Sequence, residues 1–141
     1  MSTDCIFCSI VTGDIPGRIV HEDGEITAFL DANPLAPGHT LVVPDEHTRR
    51  LNDLPDDTAR ELYEAVHALV PAIESAVDAD ATTVAVNNGE AAGQEVPHVH
   101  WHVVPRSADD GGGPIHGAFG DRPDLADDEL DGIADRIRNA R

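Results

Sequence analysis

Apolar positions along the chain fall into two periods. Leu62, Val66, Leu69, Val70, Ile73 and Val77 recur at three and four residues, which makes one stripe of a helix over 56–78. Pro71 lies inside that helix, where a missing N–H predicts a kink. Short apolar runs bounded by breakers predict strands elsewhere. Residues 18–21 and 25–30 flank Asp23-Gly24, a hairpin signal. Residues 39–44, closed by Pro44, and 82–86 read as the third and fourth strands. Residues 98–104, HVHWHVV, alternate imidazole with hydrocarbon and read as the fifth. A short helix is expected over 4–12, with Asp4 as its N-cap and Gly13 as its stop. An amphipathic terminal helix is expected over 124–139 from Leu125, Leu130, Ile133 and Ile137. The stretches 31–38 and 87–94 are loops. Residues 107–120, with Gly111-Gly112-Gly113, read as a mobile loop. Neither an internal repeat nor a second-domain boundary is visible. The pattern therefore predicts one α+β domain over 1–141, with five strands, one long helix and shorter helices at the two ends.

Composition narrows the setting. The 141 residues suit one ordinary domain. No apolar run approaches the ~20 residues of a membrane helix. The N-terminus has no basic region followed by an apolar block, so the expected address is the cytoplasm. There are 27 acids against 9 bases, every base is Arg, and the net charge is −18. That balance argues against generic binding to nucleic acid or anionic membrane. It suits a salt-rich, halophilic cytoplasm, where self-repulsion is screened.

On a strand, His98, His100 and His102 share one face, roughly 7 Å apart, while Val99, Trp101 and Val103 share the other. Three imidazoles buried in one row need three polar partners, so the row reads as a site. Two chemistries fit it. Three imidazoles could hold a catalytic metal. Alternatively, a neutral imidazole could act as a nucleophile at phosphorus, beside rings that hydrogen-bond the phosphate. The Gly93-Gln94 loop just upstream offers free N–H groups to phosphate oxygens and favours the second. Cys5 and Cys8, as CIFC, suggest metal or redox chemistry in a cytosolic chain. His21, His67 and His116 read as surface residues.

PHVHWHVV resembles the signature of the histidine triad (HIT) family of nucleotide hydrolases and transferases. CIFC-x-I-x-x-G-DIP, AFLD, PGHTLVVP, VNNG and AGQ look like the Hint-like branch in order and spacing. The resemblance covers about residues 5–115 and leaves 116–141 as a helical extension. It implies a HIT-like fold, a five-stranded antiparallel sheet with helices packed on it. It also implies a homodimer formed through the long helix and an edge strand. It implies a hydrolase that cleaves a nucleoside phosphoramidate, or a related nucleotidyl bond, at the α-phosphorus. His100 would be the nucleophile of a nucleotidyl-histidine intermediate, with a purine nucleotide as substrate. His102 and Gln94 would bind phosphate oxygens, and His39 would be a further active-site histidine. Asn87 would touch phosphate or ribose, and Asp31 would hold the ribose hydroxyls. Phe29 and Leu41 would line the base pocket or serve as plain core.

In zinc-bearing members the matching positions bind one structural Zn²⁺, and here these are Cys5, Cys8, His47 and His98. Histidine at the third triad position, His102, favours hydrolase over transferase. Glu95 and Pro97 depart from the branch's usual residues and bear on substrate preference. A dinucleoside polyphosphate hydrolase, a zinc metallohydrolase using all three histidines, and a nucleotide-binding regulatory module are competing readings. Arg106 is the one base expected near the site, so attraction of an anion would rest on N–H dipoles and imidazoles.

Overall fold

Five strands and three α-helices make up residues 5–141, which the computed structural model describes. β1 (Ile19–Glu22) and β2 (Ile26–Leu30) form the expected hairpin. The Asp23 carboxylate accepts the N–H groups of Glu25 and Ile26 at 2.9 and 2.8 Å, and Gly24 takes a φ of 91°, so turn chemistry and backbone agree. β3 (Thr40–Pro44) pairs with β2, and β5 (Trp101–Arg106) inserts between β3 and β4 (Ala81–Val86). All pairings are antiparallel, in the order β1-β2-β3-β5-β4.

The two faces of the sheet are used differently. The long helix α2 (Asp56–Val77) covers one face. Its buried Leu62, Ala65, Val66, Leu69 and Ile73 pack with Ile26, Ala28, Val42, Val99, Trp101 and Val103. Val77, at the end of the stripe, is exposed. The short helix α1 (Ile6–Thr12) lies on the other face, where Phe7 and Cys8 cluster with Phe29, Leu41 and Val43. Neighbouring strand residues thus feed opposite cores, as the period of two requires. α2 continues through Pro71 without a break. The His67 carbonyl, which loses its donor to proline, belongs to a residue on the exposed side, where water can satisfy it.

Three local expectations change. The predicted cap Asp4 lies outside the described residues, and Cys5 is the N-cap of α1, its Sγ accepting the Cys8 N–H at 3.3 Å. β5 starts at Trp101 rather than at residue 98. The pairing stops there: Val42 and Val86 both face Trp101, and β4 ends at Val86. Upstream, Pro97 supplies no N–H, and the Val99 N–H turns away to the Thr48 carbonyl at 2.7 Å. His98 and His100 therefore sit in a segment that leads into the strand. The glycine-rich segment after β5 opens on a fastened turn, in which Arg106 grips Asp110 at 2.7 Å and the Gly113 carbonyl at 3.0 Å. The C-terminal helix α3 spans Asp127–Ala140, with Leu130 and Ile137 exposed.

Candidate active site and metal centre

On the α1 face, register lines up Phe29, Leu41, His102 and Ala85 across four strands. Phe29, Leu41 and His102 of this row form part of the floor of a cleft of about 540 Å³, walled by α1, the turn after β2 and the loop after β4. Asp31, His39, Asn87, His100 and His102 all border it, as do Phe29 and Leu41, which are at once buried core and cleft lining. Seven of the predicted positions thus border one space.

Main-chain partners set the proton on each ring. His100 Nδ1 lies 2.8 Å from the His98 carbonyl, which can only accept, so Nδ1 carries the proton and Nε2 keeps a lone pair. Phe7 stands edge-on to that ring at 5.0 Å. The Leu35 N–H donates to His39 Nδ1 at 3.0 Å, so His39 is protonated at Nε2 and donates to His102 Nδ1, also at 3.0 Å. His102 in turn carries its proton on Nε2. The chain Leu35–His39–His102 therefore ends in one oriented imidazole donor beside a ring that offers a lone pair. Burial, with His100 and His39 close by, lowers the His102 pKa to about 4, and burial also lowers that of His39. A lone pair next to an N–H donor, in a cleft wide enough for a nucleotide, can attack an electrophilic phosphorus while binding its oxygens.

Asp31, His39 and His102 bring three potential ligand atoms within 4.8 Å of one another. His39 Nδ1 already accepts a main-chain N–H, which keeps Nε2 protonated and unable to coordinate. His39 and His102 are a hydrogen-bonded pair, and Asp31 Oδ2 stands 3.7 Å from His39 Nε2, beyond hydrogen-bond distance.

The first histidine of the row faces elsewhere. His98 is fully buried, and its Nε2–H donates to the Pro44 carbonyl at 2.8 Å. Its Nδ1 lone pair points at two sulfurs, Cys5 at 3.3 Å and Cys8 at 3.4 Å, and Cys8 is 3.3 Å from His47 Nδ1. The four ligand atoms all lie within 4.8 Å of one another. Tetrahedral zinc bonds of about 2.3 Å to sulfur and 2.0 Å to nitrogen put neighbouring ligands roughly 3.3–3.8 Å apart, so the set fits the ion. The carbonyl behind His98 is the outer support that ligating histidines use. Burial, reinforced by Cys5, pushes the Cys8 thiol up to about 11. A cation reverses that sign, because a coordinating thiol is deprotonated. The three triad histidines do not converge on one point, which removes the geometric basis for a catalytic metal held by all of them.

Two residues that the sequence places near the site do not border the cleft. The first is Gln94. Its buried amide accepts the Gly89 N–H at 2.8 Å and donates to the carbonyls of Arg49 and Val96 at 2.7 and 2.9 Å. It is a strut between two loops, with its donors and acceptor spent. Arg106 also lies outside the cleft, engaged with Asp110. The base that does border it is Arg18, beside β1, which no sequence signal marked.

The strut has a measurable consequence. Gln94→Ala is expected to lower unfolding stability by about 1 kcal/mol in urea titration, because it removes the bonds to one part-buried N–H and two part-buried carbonyls. The affinity for AMP should change less than about threefold. Lost affinity with unchanged stability would return Gln94 to the phosphate.

The profile of the HIT domain matches residues 12–109. A HIT-like protein of Methanocaldococcus jannaschii is 45% identical over 107 residues, covering 76% of this chain and 82% of the relative. An adenosine 5'-monophosphoramidase of Schizosaccharomyces pombe is 39% identical, covering 72% and 74%. An adenylylsulfatase of Arabidopsis thaliana is 36% identical, covering 78% of this chain and 56% of the relative. A crystal structure of a zinc-bound histidine triad family protein from Mycobacterium smegmatis superposes with a TM-score of 0.76 at 34% identity, covering 100% of both chains.

Proposed function

Because the chain belongs to the HIT domain family, we propose that it is a nucleotide hydrolase that cleaves a nucleoside phosphoramidate at the α-phosphorus through His100. The observation that carries this reading is the bond from His100 Nδ1–H to the His98 carbonyl, which leaves the Nε2 lone pair at the cleft. The two relatives with named activities support it, since both names describe a group joined to the phosphorus of an adenylyl unit. A purine nucleotide is the corresponding substrate.

In the first step Nε2 forms a bond to phosphorus. The P–N bond breaks with its electron pair on nitrogen, and the departing amine takes one proton from solvent in the open cleft. In the second step water forms a P–O bond, and the electron pair of the P–Nε2 bond returns to His100 as the water's proton leaves. Splitting the reaction in this way replaces one hard step by two easier ones. His102 Nε2–H binds a phosphate oxygen as charge builds, a contact worth roughly 3 kcal/mol. Asp31 accepts from ribose hydroxyls and Asn87 reaches ribose or phosphate. The adduct is acid-labile, so the test is mass spectrometry after rapid alkaline denaturation. A nucleotidyl mass is expected on the peptide carrying His100. Its absence under turnover conditions would contradict the mechanism.

Cys5, Cys8, His47 and His98 would hold one zinc ion, whose contribution there is structural, tying α1 and the loop after β3 to the triad segment. A homodimer belongs to the same proposal, supported by the edge position of β4, with Val84 exposed on it, and by the exposed Tyr63 on α2. The HIT unit is taken as about 5–115, with 116–141 as an extension.

The depressed pKa of His102 makes a separate prediction. An unfolded histidine titrates near 6.5, so between about pH 6.5 and 4 the unfolded chain binds a proton that folded His102 does not. Stability from this group is complete above 6.5 and is lost as pH falls toward 4, with a slope approaching about 1.4 kcal/mol per pH unit. Denaturant midpoints across that window should fall less steeply for His102→Gln than for wild type. Parallel curves would show that His102 is not held neutral by the fold.

A further inference from the structure

Beside the histidine cleft is a second hollow of about 360 Å³, bordered by Arg49, Arg50, Gly89, Glu90 and Glu95. Glu95 borders both spaces, so the two share a wall. In a chain of charge −18, two consecutive arginines at this place are unusual, and the fold fastens them from three directions. The Gln94 amide holds the Arg49 carbonyl. Asn88 Oδ1 accepts the Leu51 N–H at 2.8 Å, and its amide donates to Asn52 Oδ1 at 2.8 Å. Just upstream, the Thr48 carbonyl accepts the Val99 N–H, which fixes the loop to the triad segment itself.

The Arg50 guanidinium lies against Gly89, whose φ is 102°. The positive φ is what favours glycine here, and a Cβ would sit 3.2 Å from Arg50 Nη2, a tight contact. Arg49 and Arg50 form no ion pair among the described residues, although Glu90 and Glu95 stand at the same hollow. Two guanidinium groups on braced backbone, free of carboxylate partners and in a hollow that shares the Glu95 wall with the histidine cleft, are equipped to bind an oxyanion.

We propose that this hollow is the subsite for an anionic leaving group. The nucleotidyl part would occupy the histidine cleft, and the departing amine would carry a phosphonate, phosphate or carboxylate to Arg49 and Arg50. The proposal rests on the reading of His100 as nucleophile. It gives Glu95 a role as well: a carboxylate on the dividing wall repels an anion that stops short and leaves the arginines as its favourable end point. Selection then acts on the leaving group, at a distance from the bond that breaks.

The test uses two adenosine 5'-phosphoramidates with the same P–N bond, one of 2-aminoethylphosphonate and one of phenethylamine. The two amines differ in intrinsic leaving ability, so the readout is the ratio of their kcat/KM values across variants. That ratio is expected to fall about tenfold from wild type to R49Q/R50Q, mainly through KM of the phosphonate substrate, and to stay within about threefold of wild type in R49K/R50K. An equal ratio in wild type and R49Q/R50Q overturns the proposal while leaving the phosphoramidate reading intact. If wild type cleaves neither compound, that reading fails and the leaving-group subsite falls with it.

Discussion

His100→Ala is expected to cleave an adenosine 5'-phosphoramidate on the order of 10⁴-fold or more slowly than wild type, while AMP binds within about threefold. The size of the loss follows from the role. Without an Nε2 lone pair the nucleotidyl intermediate cannot form, and water must attack phosphorus directly. Binding survives because Asp31, His39, Asn87 and His102 border the cleft independently of that ring. His102→Ala removes an oxygen-binding donor and leaves the nucleophile, so its loss should be nearer 10²–10³-fold. Initial rates with equilibrium AMP titrations separate the two variants. Comparable rates for wild type and His100→Ala would exclude the covalent route. Saturable AMP binding by a wild-type protein that turns over no nucleotidyl substrate would favour a binding module.

The second large effect concerns the metal. The protein is expected to carry one zinc ion per chain by elemental analysis, and stripping it should lower Tm by about 15 °C. Metal held at 1,000 times its dissociation constant contributes about 4.1 kcal/mol, which corresponds to roughly 4 °C per kcal/mol for a chain of this size. The positions of the four candidate ligands would make the effect global. They come from the first turn of α1, the loop after β3 and the segment before β5. α1 also carries Phe7, which packs on His100 at 5.0 Å and on Phe29 at 5.4 Å. Cys8→Ser should reproduce the loss in a preparation given excess zinc. At a temperature where the stripped protein is still folded, kcat should stay within about tenfold of the zinc-loaded value. A metallohydrolase would behave in the opposite way, losing turnover with Tm unmoved. Absence of bound zinc together with an unshifted Tm would remove the structural role.

Much of this arrangement is legible in residue order. The three-and-four recurrence from Leu62 to Ile73 marks the buried stripe of α2, and the alternation after Pro97 separates imidazoles from core residues. His100 and His102 keep the expected period, whereas His98 lies in a bend ahead of the ladder, its N–H turned back to the Val96 carbonyl at 2.8 Å. The parts that escape depend on where distant loops land. Gln94 stands next to a glycine in a loop, which suggests phosphate, yet its amide is taken up by Arg49, a partner 45 positions away. Arg106 shares the strand parity of His102 but lies four residues, about 13 Å, along the strand. Asp110 captures it there. Arg18 enters the cleft only because β1 folds back over β2. Periodicity reports which way a side chain faces, and it is silent about which other loop meets it.

The insertion of β5 between β3 and β4 bears on how the chain is made. β3 buries all five of its residues, yet its second neighbour arrives some sixty residues later in the chain. On the ribosome, β1, β2 and β3 emerge first as a meander with an open, apolar edge. That edge stays bare through translation of α2 and β4, a period of several seconds at about 5–20 residues per second. Unpaired edges of this kind recruit other strands. Assembly of this sheet is therefore exposed to misassociation until Arg106 has left the exit tunnel, and the same event first creates the histidine-lined cleft.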